Sequence, residues 1–180
     1  MFTPSRLFIY YGERALEKTI KEDHGAMIRD GIKSVAQNGV CPETEWPYDI
    51  AKFAEKPPHK CFTDAKKFKA VTYQRLIQDQ NTMKGCIAEG YPFVFGITVY
   101  QSMMTADVAK TGVVPMPAMQ EKTVGGHALL AVGFDDSTRQ FKFRNSWSDQ
   151  WGDHGYGYVP YSYLTDSNLA DDFWTIRVVS

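Results

Sequence analysis

The sequence predicts an α+β fold, with a helical first part and an antiparallel, β-rich second part. Three observations predict it. Apolar residues recur at helical spacing up to about residue 37. A proline-rich stretch, Val40 to Pro58, interrupts the chain. Runs of β-branched and aromatic residues, punctuated by turn signals, dominate from about residue 92 onward.

Pro4 to Ile20 reads as a helix with Leu7, Phe8, Tyr11, Ala15 and Leu16 on one side. Asp23-His24-Gly25 interrupts it. Ala26 to Gln37 reads as a second helix through Met27, Ile28, Ile32, Val35 and Ala36, with Asn38-Gly39 as its stop. Pro42, Pro47, Pro57 and Pro58 make the following stretch loop-like. Ala70 to Leu76 is a candidate strand, Asp79 to Glu89 a short helix ended by Gly90, and Pro92 to Tyr100 a strand. Met103 to Met119 is looser. His127–Phe134, the turn Asp135-Asp136-Ser137-Thr138 and Gln140–Arg144 form a hairpin. Tyr156–Val159 and Phe173–Val178 complete the strands. The division falls between Asp64 and Ala70, which gives a helical lobe over 1–68 and a β-rich lobe over 69–180, together one domain.

The chain has 180 residues, 43% hydrophobic and 14% aromatic, with a formal net charge of −1. That balance gives no electrostatic reason to expect a nucleic-acid partner. No apolar run approaches the roughly 18 residues that a membrane span needs. No secretory pattern is visible at the N-terminus, and the compartment is left unknown. Cys41, Cys61 and Cys86 show no spacing that suggests zinc, and His59 with Cys61 supplies only two ligands, so neither metal nor cofactor is expected. Cys41 and Cys61 flank the proline-rich loop, where a mutual disulfide or plain packing is expected.

Chemistry concentrates near the C-terminus. Gly125-Gly126-His127-Ala128 precedes Phe143-Arg144-Asn145-Ser146-Trp147 and Trp151-Gly152-Asp153-His154-Gly155-Tyr156-Gly157-Tyr158. A neutral imidazole can take a proton from a thiol and return it to a leaving group, provided that one tautomer is held. His127 begins one hairpin strand and Asn145 ends the other, so both side chains can sit at the same end of the pair. Trp147 can shield their hydrogen bond from water. Gly152, Gly155 and Gly157 permit tight turns and close backbone approach. A histidine at a strand start is ordinarily structural; the combination points to a site.

These motifs closely resemble those of the papain-like (C1) cysteine peptidases. Asp23-His24-Gly25-Ala26-Met27-Ile28, Asn38-Gly39-Val40, Trp46-Pro47-Tyr48 and Gly90-Tyr91-Pro92-Phe93-Val94-Phe95-Gly96 extend the resemblance over nearly the whole chain, and Cys41-Pro42-Glu43 with Cys61-Phe62 resembles a microbial branch. The resemblance implies a papain-like two-lobed fold and a thiol endopeptidase acting on peptides or proteins. It implies His127 as general base, Asn145 as its orienter and Trp147 as the shield. Gly25 and Ala26 would bind an extended peptide through their backbones. Met27, Ile28 and Ala128 would line an apolar pocket for the second residue before the cut.

In that family the nucleophilic cysteine stands roughly 130–150 residues before the histidine. Counted back from His127, it falls before Met1, and nothing here resembles a Gln…Gly-Ser-Cys-Trp segment. The expectation is a chain without its N-terminal catalytic segment, inactive alone. Its helical lobe would expose an apolar groove that favours self-association or pairing with a separate N-terminal segment. Two other readings stand beside it: an inactive pseudo-peptidase that binds peptide or a partner, and a thiol hydrolase or acyltransferase that uses Cys86.

Overall fold

The computed structural model describes residues 3–179. The helices are α1 (Arg6–Glu17), α2 (Ile28–Asn38), α3 (His59–Ala65), α4 (Gln80–Ala88), α5 (Ala106–Thr111) and α6 (Tyr161–Thr165). The strands are β1 (Ala70–Arg75), β2 (Phe93–Tyr100), β3 (Thr123–Asp135), β4 (Gln140–Arg144), β5 (Tyr156–Pro160) and β6 (Ala170–Val179). The sheet runs in the order β1-β6-β2-β3-β4-β5. Two compact units divide the chain: Met1–Gln74 with Ile176–Ser180, and Arg75–Thr175.

Both long helices of the first unit are shorter than their apolar patterns, because their ends are set by local chemistry. Ser5 caps α1, its Oγ accepting from Phe8 N–H at 3.1 Å, and Lys18 ends it in the left-handed region at φ 63°. Gly39 ends α2 at φ 76°. A Cβ there would lie 1.8 Å from the Ala65 carbonyl oxygen, so both backbone conformation and space call for glycine. The core of this unit is small: Phe8, Val40, Cys41, Cys61 and Ala65, with the Phe62 ring 5.1 Å from that of Phe8. Helices α3, α5 and α6 were not expected. They have seven, six and five residues, too few for a helical period to stand out.

In the second unit, β2 alternates strictly, burying Phe93, Phe95, Ile97 and Val99. The Phe93 ring packs with those of Phe141 and Phe173, and Phe95 stacks on Phe173 at 6.0 Å. Tyr161, Tyr163 and Cys86 belong to the same core. Neighbouring strands from β6 to β5 pair antiparallel. The one displaced boundary that matters for the site is that of β3, which starts at Thr123 rather than His127. Gly125 and Gly126 are poor strand formers, but β2 supplies partners to both, Val99↔Gly125 and Thr98↔Gly126, and the ladder overrides propensity.

Where α1 meets α2, the carboxyl of Glu13 takes the space that a side chain at position 31 would need: a Cβ on Gly31 would lie 2.1 Å from Glu13 Oε1. Burial, then the nearby charge of Glu17, push the Glu13 carboxyl up to about 8. The folded state therefore keeps a proton that the unfolded chain gives up. This contribution is fully present below pH 4.5 and is lost as the pH rises to about 8. Glu13→Gln should flatten the pH dependence of the urea midpoint over that window and make the variant more stable than wild type at pH 8. An unchanged pH profile would place the Glu13 carboxyl in water.

Candidate active site

The register of β3 places the site's histidine. His127 lies opposite Ile97 of β2, and it shares a strand face with the buried Leu129 and Ala131. It is therefore half-buried at the end of an apolar face, while Ala128 points to the other side and is exposed. On the other flank, β3 pairs with β4 through Leu130↔Arg144, which leaves Asn145 immediately beyond the ladder. His127 Nε2 and Asn145 Oδ1 meet at 2.9 Å. The expected proximity of the two side chains is thus present, although His127 lies inside its strand rather than at its start.

The direction of this bond follows from a second one. Asn145 Oδ1 also accepts the backbone N–H of Ser146 at 2.8 Å, so the shared atom is the amide oxygen. An oxygen can only accept, and His127 Nε2 must carry the hydrogen. In the neutral imidazole Nδ1 then holds the lone pair and is the basic atom. Asn145 is itself immobilised: it is 5% exposed, and its backbone N–H donates to the Gly155 carbonyl at 2.9 Å. Its Nδ2 is buried without a hydrogen-bond partner among the described residues.

Trp147 covers the pair. Its ring stacks on that of His127 with centroids 4.8 Å apart and an interplanar angle of 21°. Trp151 meets Trp147 edge-on at 5.5 Å and in turn packs against Phe143 at 6.0 Å, which ties the cover to the core. In the sequence Trp151 is visible only as part of a motif; its place as the edge-on support of Trp147 has no signature of spacing. The loop closes on itself through Gly155 N–H, which donates to the Trp151 carbonyl at 2.7 Å. Gly152 sits at φ 59°, and a Cβ there would come within 2.3 Å of the Tyr156 carbonyl oxygen.

Gly25, Ala26, Met27 and Ile28 belong to the first unit, His127, Ala128, Asn145 and Trp147 to the second. The Gly25 segment is held by α1. Arg14 is fully buried and donates to the carbonyls of Ile20 at 2.7 Å and Glu22 at 3.3 Å, and to that of Phe53. Tyr10 Oη accepts from Gly25 N–H at 3.2 Å and donates to Asp23 at 2.6 Å. Glu17 Oε1 accepts from Met27 N–H at 2.8 Å. Sequence reasoning missed these three residues, yet their spacing, 10, 14 and 17, is one face of a helix. A hollow of about 380 Å³ borders Gly25 to Met27, with Glu17, Thr19, Glu22 and His24 in its walls. Met27 is largely exposed and Ile28 opens α2.

Cys41, Cys61 and Cys86 are all buried and all free thiols. The disulfide considered for Cys41 and Cys61 is not formed. Burial, then the neighbouring Cys61, push the Cys41 thiol up to about 12. Cys86 sits in the aromatic core and donates to the Tyr91 carbonyl at 3.3 Å. A catalytic thiol is partly exposed, and all three of these are buried, so none fits that role.

Residues 18–172 match the sequence model of the papain family cysteine proteases. An uncharacterised peptidase C1-like protein of Acanthamoeba polyphaga mimivirus is 47% identical over 99% of this chain and 60% of its own length. Peptidase 1 of Euroglyphus maynei is 28% identical over 75% of this chain and 41% of its own. Among solved structures, xylellain, a cysteine protease from Xylella fastidiosa, superposes with a TM-score of 0.92 and 44% identity, over 99% of this chain and 71% of that one. Procathepsin B from Trypanosoma congolense shares the fold, with a TM-score of 0.72 at 18% identity, over 100% of this chain and 61% of that one. The chain belongs to the papain family of cysteine proteases and has its α+β fold, as the motifs implied. It spans 60% of the mimivirus relative's length. Among the described residues no helix is long and apolar enough to cross a membrane.

Arg14→Met should cost roughly 3 kcal/mol in urea unfolding, because it removes the charge-assisted hydrogen bonds that a buried guanidinium makes to the Ile20, Glu22 and Phe53 carbonyls. The loss should come with faster amide exchange at Gly25 and Met27. A stability loss below about 0.5 kcal/mol would show that Arg14 does not pin this segment.

Proposed function

We propose that the chain carries the base half of a cysteine endopeptidase site and acts in the hydrolysis of peptide bonds. The observation that carries this is the pair of bonds on Asn145 Oδ1, which makes Nδ1 of His127 the basic atom under the Trp147 cover. In this reading Nδ1 takes the proton of a thiol, and the thiolate adds to the scissile carbonyl. The imidazolium returns the proton to the leaving amine, and the acyl-thiol is then cleaved by a water that His127 deprotonates. Asn145 holds the ring through both states and keeps Nδ1 aimed at the proton. Trp147 keeps water from competing for the Asn145 oxygen.

The thiol is not one of the three buried cysteines, so the reading requires one brought by another segment of polypeptide. The exposed Leu16, Met27, Tyr48 and Ile50 of the first unit support contact with such a segment or with a second copy. Ala26, the Gly25 carbonyl, Met27, Ile28 and Ala128 take the peptide; the Gly25 N–H is already engaged by Tyr10. The domain division at 68/69 belongs to the same reading: the first lobe carries Gly25 to Ile28, and the second carries the base and Ala128. A second reading, peptide binding without cleavage, is favoured for the chain by itself by the burial of all three thiols. A Cys86 hydrolase is disfavoured by that burial.

The test joins the chain to a segment that contains Gln…Gly-Ser-Cys-Trp and measures cleavage of peptides with an apolar second residue before the cut. Turnover should appear only in the joined protein, fall at least about 100-fold in His127→Ala and fall about 10-fold or more in Asn145→Ala. Turnover by the chain alone that is lost in Cys86→Ser, or turnover indifferent to His127→Ala, would overturn the proposal. Peptide binding by the chain and by the joined protein, with no turnover in either, would establish the second reading.

A further inference from the structure

Outside the peptidase site, one cluster in the first unit brings together groups that bind cations. We propose that Cys41, Glu45 and Cys61 form a site for a soft divalent cation of the zinc type. The two sulfurs and a Glu45 carboxylate oxygen all lie within 4.8 Å of one another. Tetrahedral zinc, with bonds of about 2.3 Å to sulfur and about 2.0–2.2 Å to oxygen, sets its ligand atoms roughly 3.5–3.8 Å apart. Side-chain adjustments of about 1 Å close the cluster onto an ion of that size.

The ligands come from three points of the backbone. Cys41 follows α2, and its carbonyl accepts the Ser5 N–H at 2.8 Å. Glu45 lies in the turn after Pro42, its N–H donating to the Pro42 carbonyl at 3.0 Å. Cys61 lies in α3. The Glu45 carbonyl oxygen, 3.8 Å from Cys61 Sγ, or a water supplies the fourth position. Bound there, the ion fastens α3 to the segment that leaves α2, where the unit's apolar core is thin.

Glu45 decides in favour of a cation. Its Oε1 is paired with Lys60, but its Oε2 is buried and has no hydrogen-bond partner among the described residues. A carboxylate oxygen left so beside two thiols costs free energy unless a cation faces it. A disulfide between Cys41 and Cys61 would leave that oxygen as it is. Charge also balances. On binding, two thiols release two protons, M²⁺ + 2 RSH → M(SR)₂ + 2 H⁺. The two thiolates and the carboxylate then offset the ion together with Lys60. Spacing alone does not reveal this cluster, because one of the three ligands is a carboxylate and no Cys/His spacing template includes it.

The test uses the reduced, metal-free 180-residue protein titrated with Co²⁺. Thiolate-to-cobalt charge-transfer absorption should grow and saturate at one equivalent, Zn²⁺ should displace the colour, and Zn²⁺ should raise the thermal midpoint. Cys86→Ser should behave as wild type. Cys61→Ser should lose the charge-transfer band. Glu45→Gln, which keeps the shape of the side chain, should weaken binding at least about tenfold and so tests the site even if the serine variant does not fold. No thiolate band at one equivalent, a band unchanged in Cys61→Ser, or affinity unchanged in Glu45→Gln would overturn the proposal. So would a protein isolated with Cys41 and Cys61 joined as a disulfide that takes up no metal after reduction.

Discussion

The register of β3 is the constraint on which the site depends. This strand is hydrogen-bonded on both flanks, to β2 and to β4, so it cannot slip without breaking two ladders at once. A shift of one residue would turn His127 to the face that Ala128 now occupies and put Leu129 into water. The cost of exposing Leu129 and its buried neighbour Ala131 is the cost of misplacing the His127 imidazole. The position of the His127 ring is thus set by hydrophobic burial two and four residues along the strand, and the His127–Asn145 hydrogen bond only completes what the ladder begins.

The two units fix their functional segments by different means. In the second unit, packed rings do so: Phe143 carries Trp151, Trp151 meets Trp147 edge-on, and Trp147 stacks on His127. Aromatic contacts of this kind bury a large area in preferred stacked or edge-on arrangements, which suits a ring held in one place. In the first unit the apolar core is small, and a polar stripe on α1 holds the segment from Ile20 to Met27 through backbone groups. Buried Arg14 satisfies several carbonyls at once, a task that no apolar residue of its size can perform. Where apolar burial is scarce, specific hydrogen bonds hold the chain.

Much of this was legible in the sequence, for identifiable reasons. The alternation of Phe93, Phe95, Ile97 and Val99 announces a half-buried strand, and the Asp135–Thr138 turn announces the hairpin that sets Asn145 near His127. The motif around His127, Asn145 and Trp147 carries the family because its chemistry needs those residue types. The missed features depend on partners distant in sequence. The start of β3 at Thr123 depends on β2, which accepts two glycines into a ladder. The short helices α3, α5 and α6 are built by packing rather than by period. The tautomer of His127 depends on the backbone N–H of Ser146, and no side-chain pattern encodes that. The burial of Arg14 was not legible, because nothing in its neighbourhood of sequence shows the carbonyls of Ile20, Glu22 and Phe53 that its guanidinium meets.

His127 keeps its proton on Nε2 because the Asn145 oxygen can only accept. Long-range ¹H–¹⁵N correlation of the imidazole, recorded with the ring neutral, reads this directly. A protonated Nε2 and an unprotonated Nδ1 are predicted for the wild type, and the preference should fade in Asn145→Ala. A ring protonated on Nδ1 in the wild type would contradict the assignment of the base and, with it, the role given to Asn145.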